Sequence, residues 1–268
     1  MQFSVTSVAN FAVGDIMTVS AFAAYAAGLL GTNVVLEAAA AIGAGAILSY
    51  LLNWGLITPF ARRGAKNTVL LVVTFAAAIL IESVLGAIVG GQSVLLDVPA
   101  SAPQNVGPFL LTGNDELIIA TAIAVLVSVH LVLRYTWFGK SQRAIADNPT
   151  LASITGVPAG RVISLTWLWS GGLTGLAGFV LATQLRSFDV TMGFSFLLVI
   201  FASAVLGGIG QVYGAMLGAL IIGLAMEVSA GFIPSDYKES VAFGALIIAL
   251  LLRPQGLIPA PQRRTSML

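Results

Sequence analysis

The 268 residues hold few groups able to do chemistry, and their spacing excludes most of it. Without cysteine there are no disulfides, thiolate zinc sites or iron–sulfur clusters, and the single histidine, His130, has neither a carboxylate pair nor a second imidazole beside it. The "FGKS" at 138–141 looks like the end of a phosphate-binding loop, but Arg134 stands where that loop needs its first glycine. No serine lies in a Gly-x-Ser-x-Gly setting, so a hydrolase has no nucleophile. What remains is a set of acids inside long apolar runs: Glu37, Glu82 and Glu227. A charge at mid-bilayer costs about 3 kcal/mol or more, so such groups turn towards a bundle interior. Glu82 and Glu227 are therefore expected to be buried polar pins, with a structural hydrogen bond or a place beside a path as their two readings, whereas Glu37 lies close to one surface. No basic residue shares their depth, which leaves a proton or ion relay unsupported.

Glycine is the second candidate device. Gly171, Gly172, Gly175 and Gly178 line one run, and Gly210, Gly214 and Gly218 recur at four-residue spacing further on. Small residues four apart let helix backbones approach closely, the main source of helix association in lipid. Gly207, Gly208 and Gly210 admit a sharper reading, because each glycine costs a helix about 1 kcal/mol relative to alanine and three together invite a break at depth. From sequence, packing and breaking both stay open.

The elements that must carry these residues follow from composition. With 58% hydrophobic and 9% charged residues, the chain cannot cover a water-facing surface, and its mean hydropathy is +0.99. Its exterior must meet a lipid bilayer. A bilayer core needs about 20 apolar residues per helix, and eight runs approach that length, at 15–31, 34–53, 68–90, 115–134, 161–184, 193–209, 212–231 and 239–253. A β-barrel would alternate apolar and polar residues over about ten positions, which these runs do not do. The expected fold is an all-α polytopic transmembrane bundle, one transmembrane domain over 1–268, in which 193–231 either spans twice or forms a re-entrant pair. Of the 12 Lys and Arg, only Arg186 and Lys238 fall in loops that the positive-inside rule places outside. The 54–67 loop, the 135–160 loop and the tail after Arg253 are expected on the cytoplasmic side, and 91–114 outside. A net charge of +1 without a basic run gives no support to a nucleic-acid partner.

The longest cytoplasmic loop, "YTWFGKSQRAIADNPTLASITGVPAGR" at 135–161, carries helix punctuation. Lys140 to Asp147 reads as a short helix; Asp147 or Asn148 caps a second, opened by Pro149 and closed by Gly156. Ala144, Leu151 and Ile154 give it an apolar side. A plain connector would be shorter, so 135–160 reads as a docking element.

Four blocks, "VANFAVGD" at 8–15, "GKSQRAIADNPTLASITGV" at 139–157, "AVLGGIGQVYGAMLGALIIGLAME" at 204–227 and "LLLRPQGL" at 250–257, give the chain a resemblance to the permease subunits of branched-chain amino acid ATP-binding cassette importers. The resemblance implies a plasma-membrane, multi-pass subunit that pairs with a second permease, two cytoplasmic ATPases and an extracytoplasmic solute-binding protein. It implies no enzyme activity and no cofactor on this chain, ATP and Mg belonging to the partner ATPase. Carried over residue by residue, it places the coupling to the ATPase on Gly139, Arg143, Ala144, Asp147, Asn148, Pro149 and Gly156, with Arg143 exposed and Ala144 at the point of close approach. The substrate-path candidates are Glu82 and Glu227 by their depth, Gly207, Gly208 and Gly210 by the helix break, and Asn10 and Asp15 in the first block. Val13 departs from a common histidine, and a helix usual before "NFA" is missing, so the natural chain is expected to extend upstream of Met1. Urea and short-amide importers have similar permeases. A stand-alone secondary carrier would need ion-coupling groups and an inverted repeat, and neither is visible.

Overall fold

The computed structural model describes residues 1–96, 104–106, 109–232, 234, 237–252 and 256–258. Arg253, Arg263 and Arg264, three of the 12 Lys and Arg in the charge argument, lie outside the described residues. The eight apolar runs are all helices: α2 (Val13–Leu29), α3 (Val34–Leu52), α5 (Asn67–Val89), α6 (Gly113–Tyr135), α9 (Ala159–Leu185), α10 (Met192–Gly207), α11 (Val212–Ser229) and α12 (Lys238–Leu252). Short helices fill the gaps: α1 (Gln2–Thr6), α4 (Thr58–Arg62), α7 (Trp137–Asp147) and α8 (Pro149–Ile154). The extended structure is slight. β1 (Val94–Leu95) pairs antiparallel with β4 (Ser187–Phe188), Val94 opposite Phe188, and β2 (Gln104–Val106) with β3 (Phe109–Leu111).

Local sequence sets the helix ends. Asn33 accepts the Leu36 N–H at 3.0 Å and starts α3, and Thr112 and Asp115 form a reciprocal capping box at α6. One end differs from expectation. The second run does not stop at residue 53 but continues through a π-helical turn, Asn53–Ile57, into α4, a single apolar span of 29 residues to Arg62. Pro59 is the cause: it has no N–H and its ring collides with the carbonyl four residues back. The helix absorbs this by widening, and the Thr58 N–H reaches the Asn53 carbonyl. The basic loop shrinks to the residues between Arg62 and Asn67.

The centre of the bundle is α3 against α9, with α2 across both. Glycine makes this possible. A Cβ on Gly175 would collide with the carbonyl of Ala41, one on Gly171 with Ser49, and one on Gly178 with the carbonyl of Met17. Gly14 and Gly193 bring α2 and α10 together in the same way. Apolar clusters lock the two ends: Phe22, Leu96, Phe179, Phe188 and Met192 beside the β1–β4 pair, and Val5, Ile145, Ala152 and Val162 under α7 and α8. A third, Leu206, Ile222 and Ala242, joins α10, α11 and α12.

Met192 packs beside Phe188 at the β1–β4 end, whereas Tyr213, just past the turn, meets His130 near the opposite end of α6 at 3.3 Å. Helix α10 therefore runs from the β1–β4 end towards the other end of α6, and the chain turns there into α11.

Candidate functional site

Two regions gather the expected residues. The first is the α7–α8 knob. Thr136 accepts the Gly139 N–H at 3.1 Å and starts α7 eleven residues long, a turn earlier than the sequence suggested. Gly139 is needed for space: a Cβ there would strike the carbonyls of Val132 and Leu133, so α7 folds back hard against the end of α6. Asn148, not Asp147, is the cap between the helices and accepts the Leu151 N–H at 3.0 Å. Pro149 opens α8, and Gly156 at φ 85° closes it while the Val157 N–H bonds the Ala152 carbonyl at 3.0 Å.

The knob has an inner and an outer side. Ala144 is half-buried and packs with Val5, Ile145, Ala152 and Val162, so it faces the bundle and not a docking partner as expected. The reason is helical phase: Ala144 and Ile145 share the face that Ala152 covers. Arg143 is exposed, as expected, but its guanidinium donates to the Leu133 carbonyl and so closes the end of α6. The outer side is formed by Asp147, Leu151 at 58% exposure and Ile154 at 77%. Large apolar groups left that open on a loop mark a contact surface.

The second region lies where α1, α2, α3, α5 and α9 meet. Asp15, in the first turn of α2, is 2% exposed, and neither carboxylate oxygen has a hydrogen-bond partner. Glu82 on α5 is half-buried and lies within electrostatic range of Asp15. Among the described residues the one ion pair is Lys238–Glu227, so this acidic pair is short of a positive charge. A buried carboxylate without hydrogen bonds is costly, and a cationic group is the partner that relieves it.

Below the acids runs a seam of neutral polar groups of which sequence reading named Asn10 alone. Asn10 donates to Gln2 Oε1 at 2.9 Å, Gln2 donates to Ser170 at 2.8 Å and Ser49 at 3.2 Å, and Ser49 donates to the Trp167 carbonyl at 2.8 Å. Asn10 also accepts the Ala12 N–H at 3.1 Å, which fixes the bend between α1 and α2. The available signal was Ser49 and Asn53, four apart on the face of α3 that meets the glycines of α9.

The glycine segment does both things the sequence allowed. Gly207 abuts Gly214, and Gly218 abuts Ser203 and Gly207, which packs α10 on α11. Gly208 at φ 108° and Gly210 at φ 89° break the chain between them, and Phe3 of α1 rests against Gly210. Glu227 is a correction. It is not a pin inside the bundle: its side chain is 73% exposed and bonds Lys238 at 2.9 Å, because α11 ends at Ser229 and puts it in the last turn. Glu37 lies in the first turn of α3 and is buried against Gly28.

Comparison with known proteins covers nearly the whole chain. The model of the family described as "branched-chain amino acid transport system / permease component" matches residues 1–251. The high-affinity branched-chain amino acid permease LivH of Salmonella typhimurium is 28% identical over 98% of this chain and 89% of its own length. BraD of Pseudomonas aeruginosa, of the same description, is 26% identical over 98% and 89%. A probable LivH of Methanocaldococcus jannaschii is 26% identical over 100% and 86%. No solved structure matches the chain.

Proposed function

The chain belongs to the family of permease components of branched-chain amino acid transport systems, and from that membership we propose that it carries branched-chain amino acids into the cytoplasm as the membrane subunit of an ATP-driven importer. It is a multi-pass membrane permease and not an enzyme. The family match over the eight-helix bundle is the observation that carries the reading. In this reading the partners are a second permease, two ATPases that hold ATP and Mg, and an extracytoplasmic solute-binding protein.

The knob is the ATPase contact, on the cytoplasmic side. Leu151 and Ile154 form its apolar patch, and Asp147 its polar edge. Force has a short route inward. Ile145 and Ala152 pack on Val5 of α1 and Val162 of α9; α1 in turn holds Gln2 on Ser49 and Ser170, and Phe3 on Gly210. A shift of the knob therefore reaches both the polar seam and the glycine break. Asp15 and Glu82 supply the missing half of a charge pair for the solute's ammonium group as it passes. Glu227 stands off this route.

The test is leucine uptake by vesicles containing the complete transporter. Uptake should require internal ATP, persist when a protonophore removes the proton gradient, and fall at least tenfold in Asp15→Asn with the ATPase still bound. Collapse with the proton gradient at constant ATP would make the protein a secondary carrier with Asp15–Glu82 as its ion site. Uptake of urea or a short amide in preference to leucine would assign it to that branch instead.

A further inference from the structure

A cavity of about 950 Å³ opens at the knob end of the bundle, between α1, the π-helical turn of α3, α4 and the start of α9. Its walls are sorted by chemistry. Val5, Val8, Ile57 and Leu70 line it as buried apolar wall, whereas Leu165, Arg62 and Arg161 line it as exposed residues. Both arginines are exposed, and neither has an acidic partner among the described residues. The first turn of α9, where Arg161 sits, contains no acid either, although a helix N-terminus favours one. A second groove shares Trp54, Thr58 and Arg62 with the cavity and adds Arg63. Trp54 is 67% exposed and Tyr50 39%, so the cavity opens sideways beside aromatic rings of the type that settle at a membrane interface. The volume falls in the range of small-molecule sites.

We propose that this cavity binds the headgroup and upper acyl chains of an anionic phospholipid of the cytoplasmic leaflet. The phosphodiester lies between Arg62 and Arg161, which supply the bidentate donors that phosphate geometry suits, and the acyl chains run past Trp54, Ile57 and Leu165. Charge and depth both select this occupant: uncompensated cations at the cytoplasmic interface draw anionic lipid, and the apolar wall rewards chains that a free anion lacks. The site is separate from Asp15–Glu82, and its test does not depend on the identity of the solute.

Trp54 makes the site observable. The complete transporter is placed in phosphatidylcholine vesicles containing a small, equal fraction of either brominated phosphatidylglycerol or brominated phosphatidylcholine, and the fluorescence lost in Trp54→Phe isolates the Trp54 signal. Brominated phosphatidylglycerol should quench it several-fold more than brominated phosphatidylcholine. Arg62→Gln with Arg161→Gln should make the two lipids equal, while Arg62→Lys with Arg161→Lys should keep most of the preference. The wild-type comparison needs no variant to fold. Equal quenching by both lipids in the wild-type protein overturns the proposal, as does a preference that survives both glutamines. Release of the lipid by added leucine would give the cavity to the solute route. Absence of quenching by either lipid until the ATPase is removed would give it to the ATPase interface.

Discussion

Helices α6 and α9 flank the knob, one leading in and one leading out, and they could hardly be used more differently. Both are long and apolar enough to cross a membrane. Within the chain, 44% of the most apolar window of α9 is buried, against 11% of that of α6. Ile119, Ile123, Val127 and Leu131 of α6 all face outward, whereas α9 turns Gly171, Gly175 and Gly178 onto the backbones of α3 and α2. In water the more apolar helix would be the inner one. In a bilayer lipid serves apolar surface as well as protein does, and what draws a helix inside is the closeness of backbone approach that small residues allow.

The largest expected effect attacks that distinction at its strongest point. Gly175→Leu should drive a side chain into the Ala41 carbonyl and destabilise the folded permease by more than about 3 kcal/mol, seen as loss of the monodisperse complex in detergent. A normal yield and melting temperature would mean that α3 and α9 are not welded there. Next, Ile123→Asp puts an acid on the open face of α6 at mid-span, at a cost of about 2.5–3.5 kcal/mol in membrane insertion. Glycosylation-site mapping of insertion checks it, and unimpaired insertion would show that this face meets protein or water and not lipid.

Gly139→Ala works where the two helices' regimes meet. The methyl group would pry α7 from the end of α6 at a cost of about 1–3 kcal/mol, leaving the permease inserted and its ATPase partners hydrolysing ATP without uptake. Tight coupling in this variant would show that the fold-back plays no part in transmission. The smallest effect is Ala124→Leu, on the exposed side of α6, which should change stability by no more than about 0.5 kcal/mol. A loss comparable with Gly175→Leu would erase the contrast between the helices.

Hydropathy made the eight helices legible, and helix punctuation made the knob legible, because Asn148, Pro149 and Gly156 act through local backbone geometry that needs no tertiary partner. The rest depended on phase and depth. The second run read as ending at residue 53, since nothing local shows that Pro59 would be accommodated by a π turn. Ala144 and Ile154 both look like a docking side, and only the packing of α1 beneath the knob separates them. Asp15 stood at the edge of an apolar run and Glu227 within one, yet the first is buried and the second exposed, because α2 starts inside the bundle and α11 ends at its rim. Glycine marked the centre correctly without saying which carbonyl each position would meet.

The end of α10 has a consequence for the order of assembly. Its last carbonyls, on Leu206 and Gly207, are satisfied by the N–H groups of Leu257 and Ile258, at 2.9 and 3.1 Å. Until a ribosome has delivered those residues, two backbone acceptors at the buried glycine break lack these partners, and a buried carbonyl left unpaired is costly. The α10–α11 hairpin is thus the last part of the bundle able to close, after α12 is already made. A nascent chain arrested before Leu257 should accordingly leave the hairpin open to protease, and one arrested well beyond Ile258 should not; equal protection of the two would show that the hairpin closes without its latch.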